Sequence, residues 1–150
     1  MSENLKKSTG SGTTAEISTD GGTTYKKFAS VTKLSPPNMS RATVEVTDMN
    51  SFETNDQMKE FLTDFIEADE MSVEGYVLTA DDGRDAAETA FYSGAEVKIK
   101  IVLPKAIGKT MTVTGLITAY QPIGDISTSD GLAFSMSIKP TKKPELAVTA

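Results

Sequence analysis

The chain has 150 residues, which suits one domain with a continuous core and is short for two ordinary ones. Its formal charge of −6, from 21 acidic against 15 basic residues, sets the surface against nucleic acid and anionic lipid unless the lysines cluster in the fold. With no Cys and no His, disulfides, thiolate chemistry and the commonest general base and metal ligand near neutral pH are excluded, and with them most familiar hydrolase sites.

Residues 1–12, MSENLKKSTGSG, are rich in Ser, Thr and Gly and read as a flexible arm ahead of a domain over 13–143 and a carboxyl-terminal tail over 144–150. The arm has no apolar core behind its lysines and no small-residue cleavage pattern. No run in the chain approaches the roughly 20 apolar residues that span a bilayer, so a soluble, cytoplasmic product is expected. Thr13 to Ser18 and Thr24 to Ala29 predict two short strands around Thr19-Asp20-Gly21-Gly22, whose Asp-Gly pair supplies the positive φ of a tight hairpin turn. After Pro36-Pro37, Arg41 to Thr47 alternates Ala42, Val44 and Val46 with Thr43, Glu45 and Thr47, the pattern of a strand with one apolar face.

The connection that follows is the most informative stretch. Asn55 to Glu67 places Met58, Phe61, Leu62, Phe65 and Ile66 at spacings of three and four, which gathers them on one side if the segment is helical; the alternative is an extended loop. Such a side either covers the chain's own sheet or, if exposed, requires a second subunit as its cover. From Met71 to Thr79 the positions Met71, Val73 and Val77 face one way, and Tyr76 and Leu78 make the other face apolar enough to be covered too.

Asp81-Asp82-Gly83 supplies turn and capping chemistry for a helix over Arg84 to Ser93, which sets Ala87, Ala90 and Phe91 on one side before Gly94, a natural terminator. This small apolar side lets the helix lie close against a sheet, and burying Phe91 contributes roughly 1.5–3 kcal/mol. Three strands follow: Glu96 to Leu103, with Lys98 and Lys100 on its polar face; Thr110 to Tyr120; and Leu132 to Ile138, beyond the turn-rich loop Gln121 to Gly131. About seven strands, one clear helix and long connections predict a mainly β fold: an antiparallel sandwich or partly closed barrel with one flanking α-helix.

Chemistry is sparse. Asp81, Asp82 and Asp85 bunch like oxygen ligands for a hard cation, yet acidic residues at a helix start account for them without a metal. Asp64, Glu67, Asp69 and Glu70 have no accompanying nucleophile, and a solvated face accounts for them. Lys98 and Lys100 with Lys105 and Lys109 make a possible phosphate stripe, or edge-strand lysines that discourage unwanted pairing. The Gly-rich amino-terminal stretches lack the Gly-Lys-Ser/Thr ending of a phosphate loop. No catalytic residue, metal site or cofactor is expected.

Leu34-Ser35-Pro36-Pro37 leading to Val44-Glu45-Val46-Thr47, then Glu67 to Gly75, Ala80-Asp81-Asp82, Phe91-Tyr92-Ser93-Gly94, Val97-Lys98-Ile99 with Leu103-Pro104, and Gly115-Leu116-Ile117-Thr118 come in a telling order. That order, over about Gly10 to Lys143, resembles the major tail tube proteins of long-tailed, lambda-like bacteriophages. The resemblance implies a β-sandwich with a flanking helix whose subunits form hexameric rings. Neighbouring sheets would join into an inner barrel, and stacked rings would make the conduit for DNA ejection. It implies that the long connection, with Met58, Phe61, Leu62, Phe65 and Ile66, contacts neighbouring subunits, and that edges of the first and last strands supply ring contacts. Its partners would be further copies of itself and the tail tip or initiator, tape-measure and terminator proteins. DNA would pass without specific binding, no membrane would be involved, and the product would sit in the virion tail after assembly in the host cytoplasm. Family members often carry Pro or Gly inside the connection; Phe61 to Phe65 has no breaker here and reads as more helical. A tube of a related secretion or contractile-injection machine shares this architecture, and a monomeric β-sandwich binding module is the rival from another class.

Overall fold

A computed structural model describes residues 7–149, so the first six residues of the expected arm lie outside the described residues. One antiparallel sheet runs β2(Lys26–Lys27)-β1(Thr14–Ser18)-β7(Glu96–Val102)-β8(Lys109–Gln121)-β9(Ala133–Pro140)-β6(Met71–Tyr76)-β3(Lys33–Ser35), with β10(Glu145–Val148) beside β8. A separate two-stranded ribbon pairs β4(Met39–Glu45) with β5(Phe61–Ala68), and the one-turn helix α1(Ser51–Thr54) lies in its connection.

The long strand β8 explains how one sheet becomes a sandwich. Its residues 110–116 pair with β7, its residues 115–121 pair with β9, and a register shift falls between Ile117 and Ala119. Such a bulge bends a strand and deepens its twist. The two halves of the sheet thereby close on a shared core, and Phe28, just past β2, stacks on Phe134 of β9 with ring centroids 6.4 Å apart. Alternate residues of every long strand point into this core: Ala15 and Ile17, Val97, Ile99 and Ile101, Met71 and Val73, and Phe134, Met136 and Ile138 are all buried. The sheet does not close into a barrel.

Helix α2(Asp82–Ser93) closes one end of the core. Asp81 is its N-cap, accepting the Arg84 amide at Oδ1, and Gly94 ends it at φ 74°, donating its amide to the Ala90 carbonyl. Ala87 and Ala90 are buried in the core cluster, and Phe91 packs on Tyr120 of β8 at a centroid distance of 5.9 Å.

Five expectations change, the first being the tight turn predicted over Thr19 to Gly22, which is a wider loop between Ser18 and Lys26. The Asn55 to Glu67 segment is no helix: Asp56 and Gln57 turn through left-handed backbone at φ 48° and 65°, and Phe61–Ala68 is a strand. Its backbone is satisfied by β4 rather than by itself, and Thr63, Phe65 and Ile66 suit a pleated strand. The lysine-bearing strand β7 is central, not an edge; Lys100 lies opposite Glu16 and reaches over the Tyr25 ring at 5.0 Å. Tyr76 is half exposed, so its side of β6 stays uncovered. The segment expected only as a tail forms β10, whose four residues pair with Lys109 to Thr112.

Candidate assembly interface

The ribbon carries the surface that needs explaining. Every described residue of β4 is exposed, and β5 is exposed up to its last residue. Met58, Phe61, Leu62, Phe65 and Ile66 therefore all lie outside the core, Phe65 at 87% exposure. Soluble monomers rarely leave so many large apolar side chains on one projection.

The strand register distributes them. Arg41 faces Ile66, Thr43 faces Thr63 and Glu45 faces Phe61, so an extra residue sits in β5 between Thr63 and Ile66. At this bulge the Phe65 amide donates to its neighbour's Asp64 Oδ1 at 2.8 Å, replacing a ladder bond. Because directly opposed residues share a face, Phe61 and Ile66 lie with Met39 on one side of the ribbon, and Leu62 lies with Val44 on the other. The sequence spacing had grouped these residues in a single helical stripe; the structure puts them on two faces.

Two features escaped the sequence reading. The ribbon's far end carries Met49 and Phe52, exposed at 97% and 65%, with Glu53 and Asp56 beside them. A type I′-like turn over Asn55 to Met58, closed by Met58 N to Asn55 O at 2.8 Å, holds that end. Asn55-Asp56 was the available turn signal, and the helical spacing ran across it. At the ribbon's base, Met39, Ile66 and Ala68 face Pro140 to Pro144 across a groove of about 510 Å³. Nothing local could have announced it, since its walls come from residues 39–68 and 140–144, far apart in sequence.

The sheet also leaves edges. Its ends are β2, two residues long, and β3, three residues long, and β10 lies outside the main path with one paired neighbour. Edge strands present unpaired amides and carbonyls to another chain. The whole is a bent antiparallel sandwich with short open edges, one flanking helix and an apolar ribbon inserted between β3 and β6.

Solved structures share this architecture along nearly the whole chain. The tail of an empty gene transfer agent particle, refined with C6 symmetry, superposes with a TM-score of 0.70 at 17% identity, over 96% of this chain and all of that one. The anti-feeding prophage baseplate, sixfold symmetrised, gives a TM-score of 0.66 at 11% identity over 99% and 98% of the two chains. The SPP1 tail tube gives 0.63 at 12% identity, covering 91% of this chain and 76% of that chain. No protein-family model matches the chain, and no curated protein matches it in sequence. The chain has the tail-tube fold.

Proposed function

We propose that this protein is the structural subunit of a phage-type tail tube, assembling into stacked rings, hexameric by likeness to the sixfold neighbours, through which DNA passes. The observation that carries the proposal is the exposed apolar ribbon on a sandwich with open sheet edges. Sheet edges would make the ring, and the ribbon would bridge to neighbouring subunits; a contact that repeats head to tail without closing stacks the rings. The negative charge suits a wall along which DNA slides without sticking. The function is polymerisation, not catalysis. Tail initiator, tape-measure and terminator proteins would be its other partners, in a virion tail built in the host cytoplasm. Likeness to the anti-feeding prophage baseplate and to an extracellular contractile injection system supports a second reading, the tube of such a machine, which would use the same contacts for another cargo.

Negative-stain electron microscopy of the purified chain at rising concentration, with light scattering of the same samples, tests the proposal. Rings or hollow tubes of uniform width are expected. Particles that stay monomeric at every concentration would overturn it and move the assignment to a binding module, for which a ligand screen is the next step.

A further inference from the structure

The ribbon has two unlike ends. Its tip, residues 47–60, presents exposed Met49 and Phe52 among four carboxylates, Asp48, Glu53, Asp56 and Glu60, against the single cation Lys59. That lysine already lies 3.9 Å from Glu45. The groove at its base is the opposite in charge: Met39, Ile66 and Pro144 make an apolar floor, Arg41, Lys142 and Lys143 surround it, and no carboxylate among the described residues lines it. Glu96, just outside, sits 3.7 Å from the Lys142 ammonium and offsets part of that charge, leaving Arg41 and Lys143 to dominate. Residues 40 and 46 are separated by about 20 Å of strand, so tip and groove lie at opposite ends of one ribbon.

We infer that the groove is the receptor for the ribbon tip of a second copy, with Met49 and Phe52 entering the apolar floor and Glu53 and Asp56 meeting Arg41, Lys142 and Lys143. Burying an apolar plug inside a complementary charged rim gives affinity to the plug and register to the rim. Since the two surfaces differ, the contact is heterologous and leaves a free tip and a free groove at the ends of every assembly. It rests on the tube assignment and names the surfaces that would join one subunit to the next.

The test is a charge exchange in the full chain, read as the concentration at which light scattering and microscopy first show assemblies. E53K/D56K and K142E/K143E are each expected to raise that concentration at least about tenfold. The four changes together are expected to restore it. Because E53K/D56K brings the net charge closer to zero, mere relief of self-repulsion would make this variant assemble more readily. M49S/F52S removes the plug without changing charge and should also fail to assemble, while thermal melts of all variants stay near wild type. Wild-type assembly with unaffected reversals, or with no restoration in the fourfold variant, overturns this contact and leaves the tube assignment standing. A wild-type chain that never self-associates removes both.

Discussion

At the scale of single residues, two aspartates fix the backbone where the fold turns. Asp81 is 1% exposed and its Oδ1 accepts from the Ala29 amide at 3.1 Å as well as from Arg84, tying the start of α2 to the strand end beyond β2. Asp81→Ala removes a cap and leaves two amides without this partner, so a loss of about 1–3 kcal/mol is expected from urea unfolding, with Asp81→Asn losing less. Asp20 organises the β1–β2 connection, a wider loop than the tight turn its Asp-Gly pair predicts. Its Oδ1 accepts the Thr24 amide at 3.0 Å, the Ser18 hydroxyl at 2.7 Å and the Thr23 amide at 3.1 Å. Those bonds, the Thr24 amide first, hold its carboxyl below the ordinary value of 3.8 against the opposing effect of burial. A depressed acid stabilises the fold above its unfolded pKa and loses that contribution as pH falls through the folded one. The urea midpoint of wild type should therefore fall relative to Asp20→Asn as pH drops below about 3.8, and parallel curves for the two proteins would rule the linkage out.

At the scale of elements, what could be read from the sequence depended on whether an element's neighbours were needed to define it. Helix α2 was legible because its cap, its alanine side and its terminating glycine are all local: Asp81, Ala87, Ala90 and Gly94. Strands β7, β8 and β9 were legible because half-buried strands alternate, and Val97, Ile99 and Ile101 do. In the ribbon, β4 was legible from the alternation of Ala42 and Val44, but β5 was not, because this exposed strand carries apolar residues on both faces and Phe61, Leu62, Phe65 and Ile66 fit spacings of three and four equally well. Pairing to β4 decided the matter, and pairing is invisible in a local window. This exposure also gives a sharp expectation for Phe61→Ser with Phe65→Ser. Surface substitutions change stability by about 0.5 kcal/mol or less each, so the melting temperature should move by no more than about 4 °C for the pair, while tube formation is lost. A collapse of the fold would place the two rings in a core. Gly75 is the contrasting case inside β6: an added Cβ would strike the Ser30 carbonyl and press on the Phe134 ring. Gly75→Ala should lower stability by about 1–3 kcal/mol in thermal and urea unfolding through overpacking at this crossing.

At the scale of the whole molecule, the same chain must be stable alone and incomplete alone, and the fold separates those demands in space. Stability resides in the core between the two halves of the bent sheet, where every long strand except those of the ribbon buries alternate side chains. Incompleteness resides in the ribbon and in the edges β2, β3 and β10, of which only β3 gives the core a side chain, the half-buried Leu34. Strand β10 tests this separation, because all four of its residues are exposed while its backbone pairs with β8. Ending the chain after Pro144 removes those pairs and the Thr110–Thr149 hydroxyl contact of 2.8 Å, but keeps the buried Pro144 and takes no side chain from the core. The truncated protein should remain folded, with a loss of about 1–2 kcal/mol in urea unfolding from the missing hydrogen bonds. Its assembly should change far more than its stability: if the free edge of β10 continues a neighbour's sheet, truncation abolishes rings while single folded subunits persist in light scattering. Tubes of normal width from the truncated chain would assign ring closure to β2 and β3 instead.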